Sequence, residues 1–223
     1  MAKKVYEETR IAAIADTIRS KTGGSDKYTT AQMPDGVEAV FEAGKKSEYD
    51  RFWDAFQENG NRRNYTCTFA GEGWTDDIYD PKYPIIATES SSYLFWHSNI
   101  TDTKVDIDVG DTASSGGSRF NNCSSLVTIR KLIVTEQATY SSCFTSCSKL
   151  QNITIEGLIG NDFTINQTKV LSKDSIVSIV NALSPNVSGK TLTLSKTAKE
   201  AAFTADEWSA LIAPKTNWTI TLS

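Results

Sequence analysis

A pattern that returns at a fixed interval constrains this chain more than any single motif. Phe120-Asn121-Asn122-Cys123-Ser124-Ser125-Leu126-Val127-Thr128-Ile129 aligns without gaps on Phe144-Thr145-Ser146-Cys147-Ser148-Lys149-Leu150-Gln151-Asn152-Ile153, a shift of 24 residues from 120 to 144. Phe, Cys, Leu and Ile recur at three-residue steps in both copies. A degenerate third copy starts at Phe95, where Phe95-Trp96-His97-Ser98-Asn99-Ile100 precedes Val105-Asp106-Ile107, and aligning it requires a gap. Self-similarity at such a period predicts chain coils that stack their apolar residues on the coil before and the coil after. Phe120, Cys123, Leu126 and Ile129, with Phe144, Cys147, Leu150 and Ile153, are then core rungs, and Cys123 and Cys147 are small apolar groups at equivalent places. So short a stack exposes its ends, so the flanking segments must cap it.

The period lies within the range of about 20 to 29 residues that leucine-rich repeats use. Upstream, Ile11, Ile14, Ala15 and Ile18 have the spacing of one helical face, which stops at Gly23-Gly24, and Val37, Val40 and Phe41 renew it. A face so narrow needs a partner: the rest of the chain, identical helices in an oligomer, or another protein. Asn59-Gly60-Asn61 predicts a terminator, and Tyr65, Cys67 and Phe69 then alternate as in a strand. Downstream, Ser172 is the expected N-cap of a helix carrying Ile176, Ile179, Val180 and Leu183, with a strand at 191–194 after it. Thr204-Ala205-Asp206-Glu207 has the form of a capping box, and Trp218, Ile220 and Leu222 alternate in a last strand expected to extend the stacked sheet. The expected class is α+β: a helical attachment or oligomerisation segment at 1–58, a β-rich repeat solenoid at 59–170, and an α/β cap of the same body at 171–223.

Charge excludes some partners. With 23 Lys and Arg against 27 Asp and Glu, the chain has no basic block to neutralise a run of phosphates, so nucleic acid is not expected. No stretch reaches the roughly 18 to 20 consecutive apolar residues of a membrane span, and Met1-Ala2-Lys3-Lys4 leads into an acid-containing amphipathic segment rather than a signal peptide. The four cysteines, Cys67, Cys123, Cys143 and Cys147, match no zinc-ribbon or redox spacing. A Cys₃His zinc site with His97 competes poorly with the core role the repeat assigns to Cys123 and Cys147, and neither a metal nor a cofactor is expected.

His97 is the sole histidine, so nucleophilic catalysis through Ser or Cys depends on it, and no residue near it in sequence supports that role. Carboxylate pairs, Asp76-Asp77 and Asp106 with Asp108, read as solvated turn and strand residues rather than a glycosidase pair. No catalytic residues are assigned. Trp74, Tyr79 and Tyr83, joined by Trp96 and His97, form an aromatic cluster of the kind that stacks on sugar rings; equally, such residues fill cores.

The Phe-x-x-Cys-x-x-Leu-x-x-Ile pattern resembles the BspA-like class of leucine-rich repeats of bacterial surface proteins and prophages. The opening segment, Ile14-Ala15-Asp16-Thr17-Ile18-Arg19-Ser20-Lys21-Thr22-Gly23-Gly24 through Met33-Pro34-Asp35-Gly36-Val37, is similar to the head of tail and minor structural proteins of phages that infect Gram-positive bacteria. Tyr49-Asp50-Arg51-Phe52-Trp53 with Gly73-Trp74-Thr75-Asp76, and the stretch from Leu171 to Ile220, look like the same group. The resemblance implies a non-enzymatic virion protein of a tail, baseplate or fibre, made in the host cytoplasm. Its partners would be other tail or baseplate proteins, its own copies (a trimer by family analogy), and a host surface glycan or protein. Ile11, Ile14, Ile18, Val37, Val40 and Phe41 would then be the docking face. The alternatives are a bacterial surface adhesin of the same repeat type and, further off, a cell-wall hydrolase.

Overall fold

The apolar rungs fix the architecture. In the computed structural model, residues 62–63, 68–87, 91–109 and 117–223 are described, all within one compact unit, Phe56–Ser223. The expected docking face at Ile11 to Phe41, the terminator at 59–61 and the residues Tyr65 and Cys67 lie outside the described residues. Five short strands, β1 (Arg62–Arg63), β2 (Ile85–Ala87), β3 (Asp106–Asp108), β4 (Thr128–Val134) and β5 (Asn152–Gly157), form one sheet in chain order, and every neighbouring pair is parallel. Each strand turns alternate residues inward: Ile85 and Ala87, then Ile107, then Ile129, Leu132 and Val134, then Ile153 and Ile155 are all buried. The register runs Ile129 to Ile153 and then Leu132 to Ile155, so β4 carries one extra residue between them. That bulge at Arg130-Lys131 lets Ile129 and Leu132 both face the core although three positions apart.

Between strands the chain turns, and there the rings stack. Phe69 and Phe95 lie 5.2 Å apart between centroids, Phe95 and Phe120 5.2 Å, and Phe120 and Phe144 5.8 Å, the last two pairs within 9° of parallel. Phe163 continues the row, 5.4 Å from Phe144 and tilted by 45°. Every repeat residue singled out in the sequence is buried: Phe120, Cys123, Leu126, Ile129, Phe144, Cys147, Leu150 and Ile153. Phe69 stands in a turn, not in the strand that its alternation with Tyr65 and Cys67 suggested. The gap needed to align Phe95 is also real: Asp102 bridges to Thr128, whereas Ile107 pairs with Leu132, so the offset between neighbouring coils falls by one residue along the way.

The C-terminal strands do not extend this sheet, as the alternation had suggested. β6 (Phe163–Ile165), β7 (Lys190–Leu194) and β8 (Trp218–Leu222) pair among themselves in a second parallel sheet, which starts before the boundary expected at 170. The reason lies at the edge of β5. Helix α1 (Lys173–Asn181) is laid there with Ile176, Ile179 and Val180 buried, and its serine hydroxyls occupy the strand's outward amides: Ile153 N–H donates to Ser175 Oγ at 2.9 Å and Ile155 N–H to Ser178 Oγ at 2.8 Å. An edge satisfied by side chains cannot accept a sixth strand. Changing Ser175 to Ala should therefore leave a buried amide unpaired and lower the unfolding free energy by about 1–3 kcal/mol in urea titrations; an unchanged midpoint would mean that α1 does not seal the edge.

The caps follow the sequence. Ser172 caps α1 by accepting from Ser175 N–H. Thr204 and Glu207 form both bonds of a capping box at the start of α3 (Ala205–Ile212). Glu207 also meets Lys173 Nζ at 2.7 Å, and that bond, with the Thr204 amide, holds its carboxyl down to about 2. α2 (Lys196–Ala202), capped by Ser195, was not foreseen, because its Ala-rich sequence has no apolar period. The described residues thus give a mixed α and β fold of two parallel sheets and three helices. No described helix is long and apolar enough to cross a membrane.

Candidate functional site

The Phe row determines what the turns present. Phe69, Phe95 and Phe120 each donate a backbone N–H to the next coil, to Leu94, Arg119 and Cys143 carbonyls at 2.8, 2.7 and 3.1 Å. Two residues on, the pattern repeats: Gly71 N–H to Trp96, His97 N–H to Asn121 and Asn122 N–H to Thr145, at 2.7, 3.0 and 2.8 Å. Those second positions, Gly71, His97, Asn122 and Ser146, all have positive φ. Gly adopts that conformation without penalty and Asn and His more readily than most residues. The backbone reverses there, and the residue between each Phe and its left-handed residue, Ala70, Trp96, Asn121 or Thr145, keeps part of its surface exposed.

On this ridge the aromatic cluster of the sequence divides. Tyr79 is wholly buried: its ring meets Phe69 and Phe95 edge-on, and its hydroxyl donates to Thr103 O at 2.9 Å. Tyr79 is therefore a core residue, not a ligand contact. Trp74 is half-buried edge-on to Phe69, with centroids 5.1 Å apart. Tyr83 is exposed. Trp96 is 40% exposed, and beside it stands Tyr93, 44% exposed and overlooked in the sequence, with ring centroids 6.1 Å apart. His97 lies against Trp96 at 4.3 Å, and its Nε2 is 3.0 Å from Asn122 Nδ2. Asn121 Nδ2 donates to Ser142 O at 3.2 Å. The sequence signal for Tyr93 was its place three residues before Trp96, which on a tight turn brings both rings to one side.

The outer face of the first sheet differs in kind. Lys131 sits between Asp106 and Glu156, at 3.6 and 2.8 Å, and Arg130 meets Asp106 at 3.5 Å, so charges on β3, β4 and β5 neutralise one another. The acidic pair at 76–77 has a structural use: Asp76 accepts from Thr101 N–H at 2.9 Å and from its hydroxyl, which ties two coils. Asp102 accepts from the Lys104 amide at 2.6 Å.

The thiols are packing groups. Cys123 donates to Phe95 O at 2.8 Å and Cys147 to Phe120 O at 2.9 Å, the same bond one coil apart. Burial pushes the Cys123 thiol up to about 12 from an ordinary 9.0, and raises Cys143 and Cys147 as well. Among the described residues no three His, Cys, Asp or Glu side chains are grouped to hold a metal ion. Iodoacetamide at pH 8 should therefore label Cys123, Cys143 and Cys147 only as fast as the chain unfolds, as read by peptide mass spectrometry. Below pH 9 these thiols are protonated in both states. Above it the unfolded chain ionises first, so their contribution to stability falls as pH rises, and that of Cys123 is lost by about pH 12. Prompt labelling of the native chain, or a stability that rises between pH 9 and 11, would show that they are not sealed.

Comparison with protein-family models, curated proteins and solved structures finds no match for this chain.

Proposed function

We propose that this chain is a non-enzymatic structural protein of a bacteriophage or prophage tail, a component of the baseplate or a fibre. Residues 1–58 dock or oligomerise, and 59–170 form a short leucine-rich-repeat solenoid of the BspA-like kind, capped by 171–223. The observation that carries the scaffold reading is the row of Phe69, Phe95, Phe120 and Phe144 in the turns between strands paired in parallel and in chain order. Repeat coils that touch only their neighbours build such a row, and a passive binding surface is what such stacks commonly offer. The similarity of the 14–37 segment to phage tail proteins supports the particle assignment. The partners are other tail proteins, further copies of this chain in a trimer, and a host surface molecule.

Mass spectrometry of purified particles tests this reading. Peptides of the chain should appear with the tail proteins at a fixed ratio through successive density gradients. Peptides found in the lysate but absent from particles would overturn it. Peptidoglycan zymography should show no clearing by the purified chain; a cleared zone would place catalysis where binding is proposed.

A further inference from the structure

The ridge of turns has a composition and a spacing that together specify a ligand class, on the reading that this body is a binding scaffold. Trp96 and Tyr93 stand side by side and keep 40% and 44% of their surface exposed. The neighbouring turns offer Asn121 and Asn122, then Thr145 and Ser146, all half-buried. Neither position following each ladder Phe, from Phe69 through Phe144, holds a carboxylate, lysine or arginine. Asp106, Arg130, Lys131 and Glu156 lie on β3 to β5, where they pair with one another. A surface of aromatic faces and uncharged amide and hydroxyl groups suits a ligand that is itself a neutral array of hydroxyls on rings with apolar faces. It does not suit a phosphate polymer or an acidic peptide, which a cluster of cations would mark.

The repeat distance narrows the class further. Successive Phe rings stand 5.2 to 5.8 Å apart between centroids, and hydrogen-bonded parallel strands about 4.8 Å apart, so equivalent groups on the ridge recur at about 5 Å. This interval matches the length of one pyranose unit in an extended polysaccharide. We infer that the ridge running from Tyr93 and Trp96 across Asn121 and Asn122 to Thr145 and Ser146 binds a linear neutral glycan laid along the stack, one sugar per coil, with Trp96 stacked on a sugar face. Tyr93, edge-on to Trp96, supports that ring. The Asn122 amide, held by His97 Nε2 at 3.0 Å, keeps its orientation before the ligand arrives, which reduces the ordering cost of binding.

Calorimetric titration of the full chain with cello-oligosaccharides and chito-oligosaccharides of increasing length tests the inference. Affinity for one of the two series should rise with each added sugar and level off once the oligomer spans the turns from Gly71 to Ser146. Because no ion pair is formed, added salt should leave it unchanged. Trp96→Ala should weaken binding by about tenfold or more, Trp96→Phe should restore most of it, and Tyr93→Ala should have a smaller effect, with thermal unfolding of all three close to that of the parent. Failure of both series to bind overturns the inference. So does binding that ignores length, or that survives Trp96→Ala. Recovery of the chain in particles does not depend on this ridge. A chain found in tails that binds neither series would therefore refute the ligand alone, and a chain that binds but is absent from tails would refute the tail assignment alone.

Discussion

Replacing Phe120 with Ala lowers the unfolding free energy by about 3–5 kcal/mol, the range expected for truncating a fully buried Phe. Phe120 is wholly buried and stacks on both neighbours, Phe95 at 5.2 Å and Phe144 at 5.8 Å, with both pairs 9° from parallel. The cavity would open in the middle of the row, where rigid coils on either side cannot collapse into it. The backbone bonds of residue 120, its N–H to the Cys143 carbonyl at 3.1 Å and its carbonyl from the Cys147 thiol at 2.9 Å, remain in the variant, so the loss reports the ring alone. Urea titration of the full chain checks the value. A loss below about 1 kcal/mol would mean that the ring contributes little and that the coils are held by their strands alone.

The second large effect comes from adding one methyl group. Gly157 closes β5 with φ +97°, and a Cβ there would sit 2.1 Å from the carbonyl oxygen of Val134, its register partner on β4. The obstacle is backbone, so no side chain can swing aside. Strain at positive φ and the collision together should make Gly157→Ala cost on the order of 4 kcal/mol. Gly73 is the control: a Cβ there meets nothing within 4 Å, and Gly73→Ala should stay within about 0.5 kcal/mol of the parent. Equal melting temperatures for the two variants would contradict the close approach of β4 and β5.

Particular residues explain what the sequence disclosed. The copies at 120 and 144 were legible because both keep Phe, Cys, Leu and Ile, whose burial is a requirement of stacking. The copy at 95 was fainter because Ser98 stands where the others have Cys, buried and 3.9 Å from Cys123. The copy at 69 was illegible: after Phe69 only the Gly71 position matches the pattern, and a residue that permits positive φ is too common a signal to find alone. Capping chemistry was readable at Ser172 and Thr204 because it is local, four residues at a time. Sheet membership was not, since whether β8 joins β5 or β7 depends on Ser175 and Ser178 reaching β5 first. The aromatic cluster was legible as a group but not residue by residue. Phe95 and Trp96 are adjacent, yet one is core and the other ridge, a separation made by the left-handed turn at His97.

Amide hydrogen exchange on the full chain tests the stacking of coils most directly. The N–H groups of Phe95, Phe120 and Asn122, each given to a carbonyl of the following coil, should exchange only when the whole body unfolds, with protection equal to the free energy from urea titration. Exchange of these three amides at the rate of an unstructured chain, while the β5 amides at Ile153 and Ile155 stay protected, would contradict a continuous stack.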